Sequence, residues 1–247
     1  RLATELAALR LASHPRIVRL YDSLHTPTHL FLVTDLCSGG CLFDRMMDVD
    51  MSERQCATVV RQVAEAVEYL HGVGVVHRDI KLENVLMCSP DPTDFSIKLA
   101  DFGSASLPTP RRRHSHIGTV AYMAPEYFAG HPYDEKVDCW AVGVLMYMLL
   151  SLTSPFGNDD NTPGAAEAEQ VERITRGDFA PLSGPAWASK SDASKDLIRR
   201  LLQVDPNERL SAAEAMDHPW FDVSGYCVGS VNEMVRLTVL GVAMRVP

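Results

Sequence analysis

The chain has 247 residues, is 46% hydrophobic and 22% charged, and carries a formal net charge of −9. That length can fill one core or two lobes sharing a cleft, and the negative balance argues against general binding to nucleic acid or to membrane surfaces. The cysteines at 37, 41, 56, 88, 139 and 227 form no C-x-x-C pair, a usage expected of reduced thiols in a cytoplasmic, or alternatively nuclear, protein.

In chain order, Leu2, Leu6, Leu9 and Ala12 stand at helical spacing, and His14-Pro15 closes that helix. Residues 17–24 and 30–36 are short β-branched or aromatic runs separated by HTPTH, which predicts an antiparallel strand pair. Ser38-Gly39-Gly40 reads as a turn. Ser52-Glu53 opens a helix with Ala57, Val60, Val63, Ala64, Val67 and Leu70 on one face. A short strand is predicted at 97–100 and an exposed loop over 104–118, where prolines and RRRHSH break any periodicity. The apolar run 139–150 is too short for a bilayer, which needs about 20 residues, and predicts a helix buried on all sides from about Asp138. Residues 157–168, GNDDNTPGAAEA, read as a surface loop. Helices are predicted over 191–203 and 211–216, and residues 222–247 form a tail with no assignment.

The stretch VVHRDIKLENVLM, 75–87, interrupts an apolar run with six polar groups and then resumes it. Each polar group buried without a partner costs about 1–3 kcal/mol, so the pattern describes a polar loop held between two buried anchors, a suitable place for chemistry.

HRDIKLEN, then DFG, then Ala124-Pro125-Glu126, in that order, resemble the catalytic motifs of protein kinases. The resemblance runs over about residues 1–221 and implies an α+β, two-lobed fold with a mostly helical large lobe: residues 1–36 as part of the small β lobe and 37–221 as the large lobe. It implies transfer of the ATP γ-phosphate to Ser or Thr hydroxyls of proteins with Mg2+. Within the family, Lys81 and the Gly118-Thr119 pair resemble serine/threonine kinases, and SGGCLFDRM with the ending through HPWF resembles the calcium/calmodulin-dependent group. By the same resemblance Asp79 is the base and Lys81 the phosphate contact. Asn84 and Asp101 hold the metal, Asp35 and Cys37 present backbone groups to adenine beside the gatekeeper Thr34, and Leu86 lies under the ring. Glu5 is the helix glutamate that pairs with the ATP-contacting lysine. Leu9, Leu20, His77 and Phe102 form a stacked spine resting on Asp138, and Glu126 pairs with Arg209.

Three departures stand out. No Gly-x-Gly-x-x-Gly occurs and the first lysine is Lys81, so three strands of the family's small lobe lack a counterpart, the remaining two have an unpaired edge, and a truncated or inactive pseudokinase acting as a scaffold is the alternative reading. Cys41 stands where the family usually has glutamate, and reads as a small residue opening a helix. The tail lacks the dense basic amphipathic face of a calmodulin-binding segment. The resemblance also implies an upstream activating kinase, because Ser115 lies where relatives carry an activating phosphate. A phosphate there brings about −2 charge, which Arg78 can meet. In the full-length protein, Ser115→Ala is expected to lower turnover; unchanged turnover in the variant would remove this role.

Overall fold

The computed structural model describes residues 2–26, 28–107, 119–130, 133–157, 165–223 and 242–245. Helix α1 (Leu2–Leu11) packs Ala8 and Leu9 inward. Strands β1 (Leu20–His25) and β2 (His29–Thr34) pair antiparallel, Leu24 opposite Phe31 and His25 opposite Leu30. β1 is shorter than predicted, because Ile17 leaves it to make a parallel bridge with Leu99. Helix α2 (Leu42–Asp48) follows the Gly-Gly turn, and α3 (Glu53–Gly72) begins at a capping box. There the Ser52 hydroxyl accepts from the Gln55 amide at 3.4 Å while the Gln55 side chain accepts from the Ser52 amide at 2.8 Å. Strands β3 (Val85–Met87) and β4 (Ile97–Leu99) form a second antiparallel ladder, Val85 opposite Leu99.

The α-helices that follow are α4 (Pro125–Phe128), α5 (Lys136–Ser151), α6 (Ala165–Arg176), α7 (Asp192–Leu201), α8 (Ala212–Met216) and α9 (Pro219–Val223). α5 is apolar on every side and buried along most of its length, with Trp140, Leu145 and Met146 fully inaccessible. It lies between α3 and α7, so it is the central post of the helical region. Glu53, at the start of α3, accepts hydrogen bonds from the Ser191 amide (3.0 Å) and the Trp220 indole (2.8 Å). One carboxylate thus ties the first long helix to the chain's last helices.

Several expectations are corrected. The predicted exposed loop at 104–118 begins buried: Ser104 and Ala105 are covered, and Ser106 bridges to Val76 in both directions at 3.1 and 2.9 Å. Residues 108–118 lie outside the described residues. The predicted loop at 157–168 ends early, because α6 starts at Ala165. The tail is not without structure: α9 extends through Val223, and β5 (Val242–Arg245) pairs antiparallel with β2, Leu30 opposite Met244. The edge of β2 expected to be unpaired is therefore occupied, and the small sheet has the order β1-β2-β5.

Glu126 on α4 and Arg209 in the loop before α8 form a two-pronged ion pair at 2.7 and 2.9 Å, with Arg209 only 1% exposed. Arg209 also donates to the carbonyls of Gln203 (2.9 Å) and Lys136 (2.8 Å) and lies 5.1 Å from the Trp140 ring centroid. Removing one partner strands a charge in the interior. Glu126→Ala is accordingly expected to cost about 3–5 kcal/mol, read as a lowered urea midpoint. A midpoint within experimental error of wild type would show the pair to be dispensable.

Candidate active site

The polar stretch is anchored by Val75, Val76 and Ile80 on one side and by β3 on the other, all buried except for part of Leu86. Its backbone is organised by a single carboxylate. Asp138, 1% exposed at the start of α5, accepts from the His77 amide (2.8 Å), the Arg78 amide (2.8 Å) and His71 Nε2 (3.0 Å). Burial raises the Asp138 pKa, but the His71 hydrogen bond and charge and the Arg78 amide outweigh it and hold the group below the usual carboxylate range. The two amide bonds fix Arg78 in a left-handed conformation, φ 66°. The Arg78 guanidinium turns to the Ser104 carbonyl (2.7 Å), the Ala105 carbonyl (3.3 Å) and the Tyr133 hydroxyl (3.3 Å).

His77 connects this loop to Asp101. Its Nε2 faces the Ala100 carbonyl at 3.0 Å, so that nitrogen carries the proton and donates. Nδ1 then accepts from the Asp79 amide at 3.3 Å. The ring meets Phe102 edge-on at 4.9 Å. Asp101 itself is exposed and left-handed (φ 61°), with Oδ1 accepting from the Gly103 amide at 3.1 Å. Among the described residues, left-handed non-glycine residues occur at Arg78, Asp101 and Leu152, and two of these three lie in this cluster.

Asp79 and Asn84 are joined directly, and Asn84 reaches the residue before Asp101 through its backbone. The Asn84 side-chain nitrogen donates to the Asp79 carbonyl (2.8 Å) and carboxylate (3.1 Å), while the Asn84 backbone carbonyl accepts from the Ala100 amide (2.9 Å). Both Asp79 partners are acceptors, so the Asn84 NH2 must face them and its Oδ1 is left to meet a cation. Among the described residues, no group of three or more His, Cys, Asp or Glu is placed to hold a metal. The Asp101 carboxylate and the Asn84 amide oxygen are of the hard-oxygen type that would suit Mg2+, an ion that keeps several waters and takes further ligands from substrate phosphates. Lys81 Nζ bridges Asp79 Oδ2 (2.9 Å) and the Thr119 hydroxyl (3.1 Å).

Residues 1–221 match the family described as protein kinase domain. The chain belongs to the protein kinase family. It is 38% identical to a calcium/calmodulin-dependent protein kinase type 1 of Macrobrachium nipponense, over 94% of this chain and 64% of that protein. It is 39% identical to a type 1B enzyme of that name from Homo sapiens and 38% identical to one from Rattus norvegicus, in each case over 94% of this chain and 67% of the relative. The chain thus spans about two thirds of the length of these relatives.

In the kinase fold the segment after β2 is where a nucleotide base is expected. The Asp35 side chain is fully engaged there: it accepts from Lys98 (2.8 Å), the Arg19 amide (3.0 Å) and the Tyr21 hydroxyl (2.8 Å). Burial raises its pKa, but these partners outweigh burial and bring it below its ordinary 3.8. Its side chain therefore braces the segment. The Asp35 carbonyl accepts a 3.3 Å bond from the Thr34 hydroxyl, and among the described residues the Cys37 amide makes no hydrogen bond. Leu86, half-buried, bridges to Cys41. Glu5 lies partly buried on α1. Cys41 occupies the position before α2, as expected of a small residue opening a helix; its side chain accepts no bond from the helix amides, and the thiol donates to Asp44 at 3.1 Å. Ser115 lies outside the described residues. Sequence reasoning missed His71, Tyr133 and Lys98, which act through long-range contacts and carry no local signal.

The His77 tautomer has a pH consequence. Burial lowers its pKa below 6.5, against the raising effects of Asp138, the Ala100 carbonyl and nearby carboxylates. A histidine held neutral in the folded state loses stability as pH falls below its ordinary value, because the unfolded chain binds the proton more readily. His14, lowered mainly by burial, acts in the same window; Asp138 adds a loss only below about 3.8. Urea midpoints measured from pH 7 to pH 5 are therefore expected to fall less steeply in His77→Phe than in wild type. Parallel slopes would show that His77 does not titrate on unfolding.

Proposed function

We propose that the protein is a Mg2+-dependent protein serine/threonine kinase that moves the γ-phosphate of ATP to hydroxyls on protein substrates. The observation that carries the reading is the joining of Asp79 to both Lys81 and Asn84, beside the chain turn that presents Asp101. Asp79 orients the substrate hydroxyl and accepts its proton. Lys81, already neutralising Asp79, offers its ammonium to the transferred phosphoryl group. Asn84 and Asp101 hold the ion, and bound Mg2+ supplies charge neutralisation on the phosphates. The Cys37 amide and Asp35 carbonyl bind adenine over Leu86, and Thr119 steadies Lys81 where the substrate arrives.

The similarity to calcium/calmodulin-dependent kinases of type 1 supports serine and threonine as acceptors. The reading extends to an activating kinase acting on Ser115. With the full-length protein and radiolabelled Mg-ATP, phosphate incorporation into a protein substrate is expected to drop by at least about 10²-fold in Asp79→Asn, the scale of a lost general base. It is expected to vanish in Asp101→Asn. Nucleotide-independent partner binding that survives both changes, with no phosphate transfer by wild type, would favour the scaffold reading instead.

A further inference from the structure

A small cavity lies between α4, the head of α5 and the polar loop. It is lined by Ile80, Val137 and Ala141 and, among polar residues, by Asp79, Tyr127 and Asp138. The space open to the centre of a water molecule is about 10 Å³, enough for one. Tyr127 on α4 is 5% exposed, and its hydroxyl has no hydrogen-bond partner among the described residues. A buried hydroxyl left in that condition is costly. The ring that carries it is held in place, its centroid 4.4 Å from that of Tyr133, whose hydroxyl accepts from Arg78 at 3.3 Å.

Asp138 offers the complementary half. Its Oδ2 accepts twice, from the His77 amide (2.8 Å) and from His71 (3.0 Å), whereas its Oδ1 accepts from the Arg78 amide (2.8 Å) alone among the described residues. A carboxylate oxygen takes two donors, so Oδ1 has one position left. Burial, and after it the Asp138 charge, raise the Tyr127 pKa above its ordinary value, so the hydroxyl keeps its proton and acts as a donor. A donor in need of an acceptor and an acceptor with a spare position thus line one space, which is sized for a single water.

We infer that the cavity is a binding site for one water molecule, which accepts from the Tyr127 hydroxyl and donates to Asp138 Oδ1, and that Tyr127 is thereby a positioning residue for the loop that carries Asp79. The bridge adds a third element to the two that Asp138 already joins. Through it α4, which the neighbouring Glu126 locks to Arg209, is tied to the carboxylate that shapes residues 77 and 78. Tyr127 acts through the water and Asp138 and meets no reacting atom. Only its effect on turnover rests on the kinase reading above.

The test compares wild type with Tyr127→Phe in the full chain, by high-resolution crystallography, urea unfolding and steady-state kinetics. Wild type is expected to show an ordered water within hydrogen-bond distance of both Tyr127 Oη and Asp138 Oδ1. Tyr127→Phe is expected to lower the urea midpoint, because a bonded hydroxyl is lost. A hydroxyl with no partner predicts the opposite sign, since its removal is neutral or stabilising. Turnover is expected to fall about 5-fold, the scale of one hydrogen bond, with the KM for ATP unchanged. Tyr147→Phe removes a hydroxyl that donates to the Ala180 carbonyl at 3.3 Å, away from the loop, and is expected to lower the midpoint while leaving kcat alone. A dry cavity, or a Tyr127→Phe midpoint equal to or above wild type, would overturn the water site. A lowered midpoint with unchanged kcat would overturn the positioning role. Absence of turnover in wild type itself would count against the kinase reading, and the crystallographic and urea measurements would still decide the water site.

Discussion

The arrangement of the site depends on one buried negative charge. Asp138 sits at the head of a helix that is otherwise apolar on all sides, and a carboxylate taken that far from water is tolerated only when its oxygens are filled. The partners that fill them are the amides of two consecutive residues in the polar loop and an imidazole from the end of α3. Satisfying this charge and shaping the loop are therefore the same event. The positive φ at Arg78, unfavourable for a side-chain-bearing residue, is the conformation that lets both amides point at one carboxylate.

From that anchor the geometry propagates through short, rigid links. His77 is itself held by Asp138 and reaches the residue before Asp101. Asn84 closes the loop on Asp79 with its side chain and reaches the same residue, Ala100, with its carbonyl. Two loops distant in sequence are thus stitched at Ala100 from both sides. Of the groups proposed to meet substrate and cation, Asp101 is exposed and Asp79 and Lys81 are partly covered, while Asn84 and the Asp138 and His77 side chains that organise the loop are buried. A graded burial of this kind keeps the site preorganised while leaving one side of it open.

Much of this was legible from the residues. The polar interruption between Val76 and Val85 marked a loop whose groups needed partners, and the capped, apolar-faced pattern after Ser52 marked α3. Glu126 and Arg209 could be paired only through the family resemblance, since 83 residues separate them. What was not legible has physical reasons. α2 follows two glycines and is only seven residues long, too short for a periodic signal. Ser104 and Ala105 look like loop residues because what holds them, the Arg78 guanidinium on their carbonyls, comes from 26 and 27 residues away in sequence. Lys98 alternates with buried neighbours on β4 and resembles any solvent-facing strand residue until Asp35 is brought beside it. β5 lies in a run whose composition favours no particular element, and its conformation comes from the ladder it joins.

That ladder limits what else can happen at the small sheet. β2 has two sides: β1 holds one through the hairpin, and residues 242–245 hold the other. A strand edge accommodates a single neighbour at a time, so any further extended segment seeking β2, from the same polypeptide or from another molecule, has to displace residues 242–245. Residues 242–245 therefore already fill that seat. How tightly they grip it sets the threshold that a newcomer must exceed, at a location within one strand's length of the segment where nucleotide is proposed to bind.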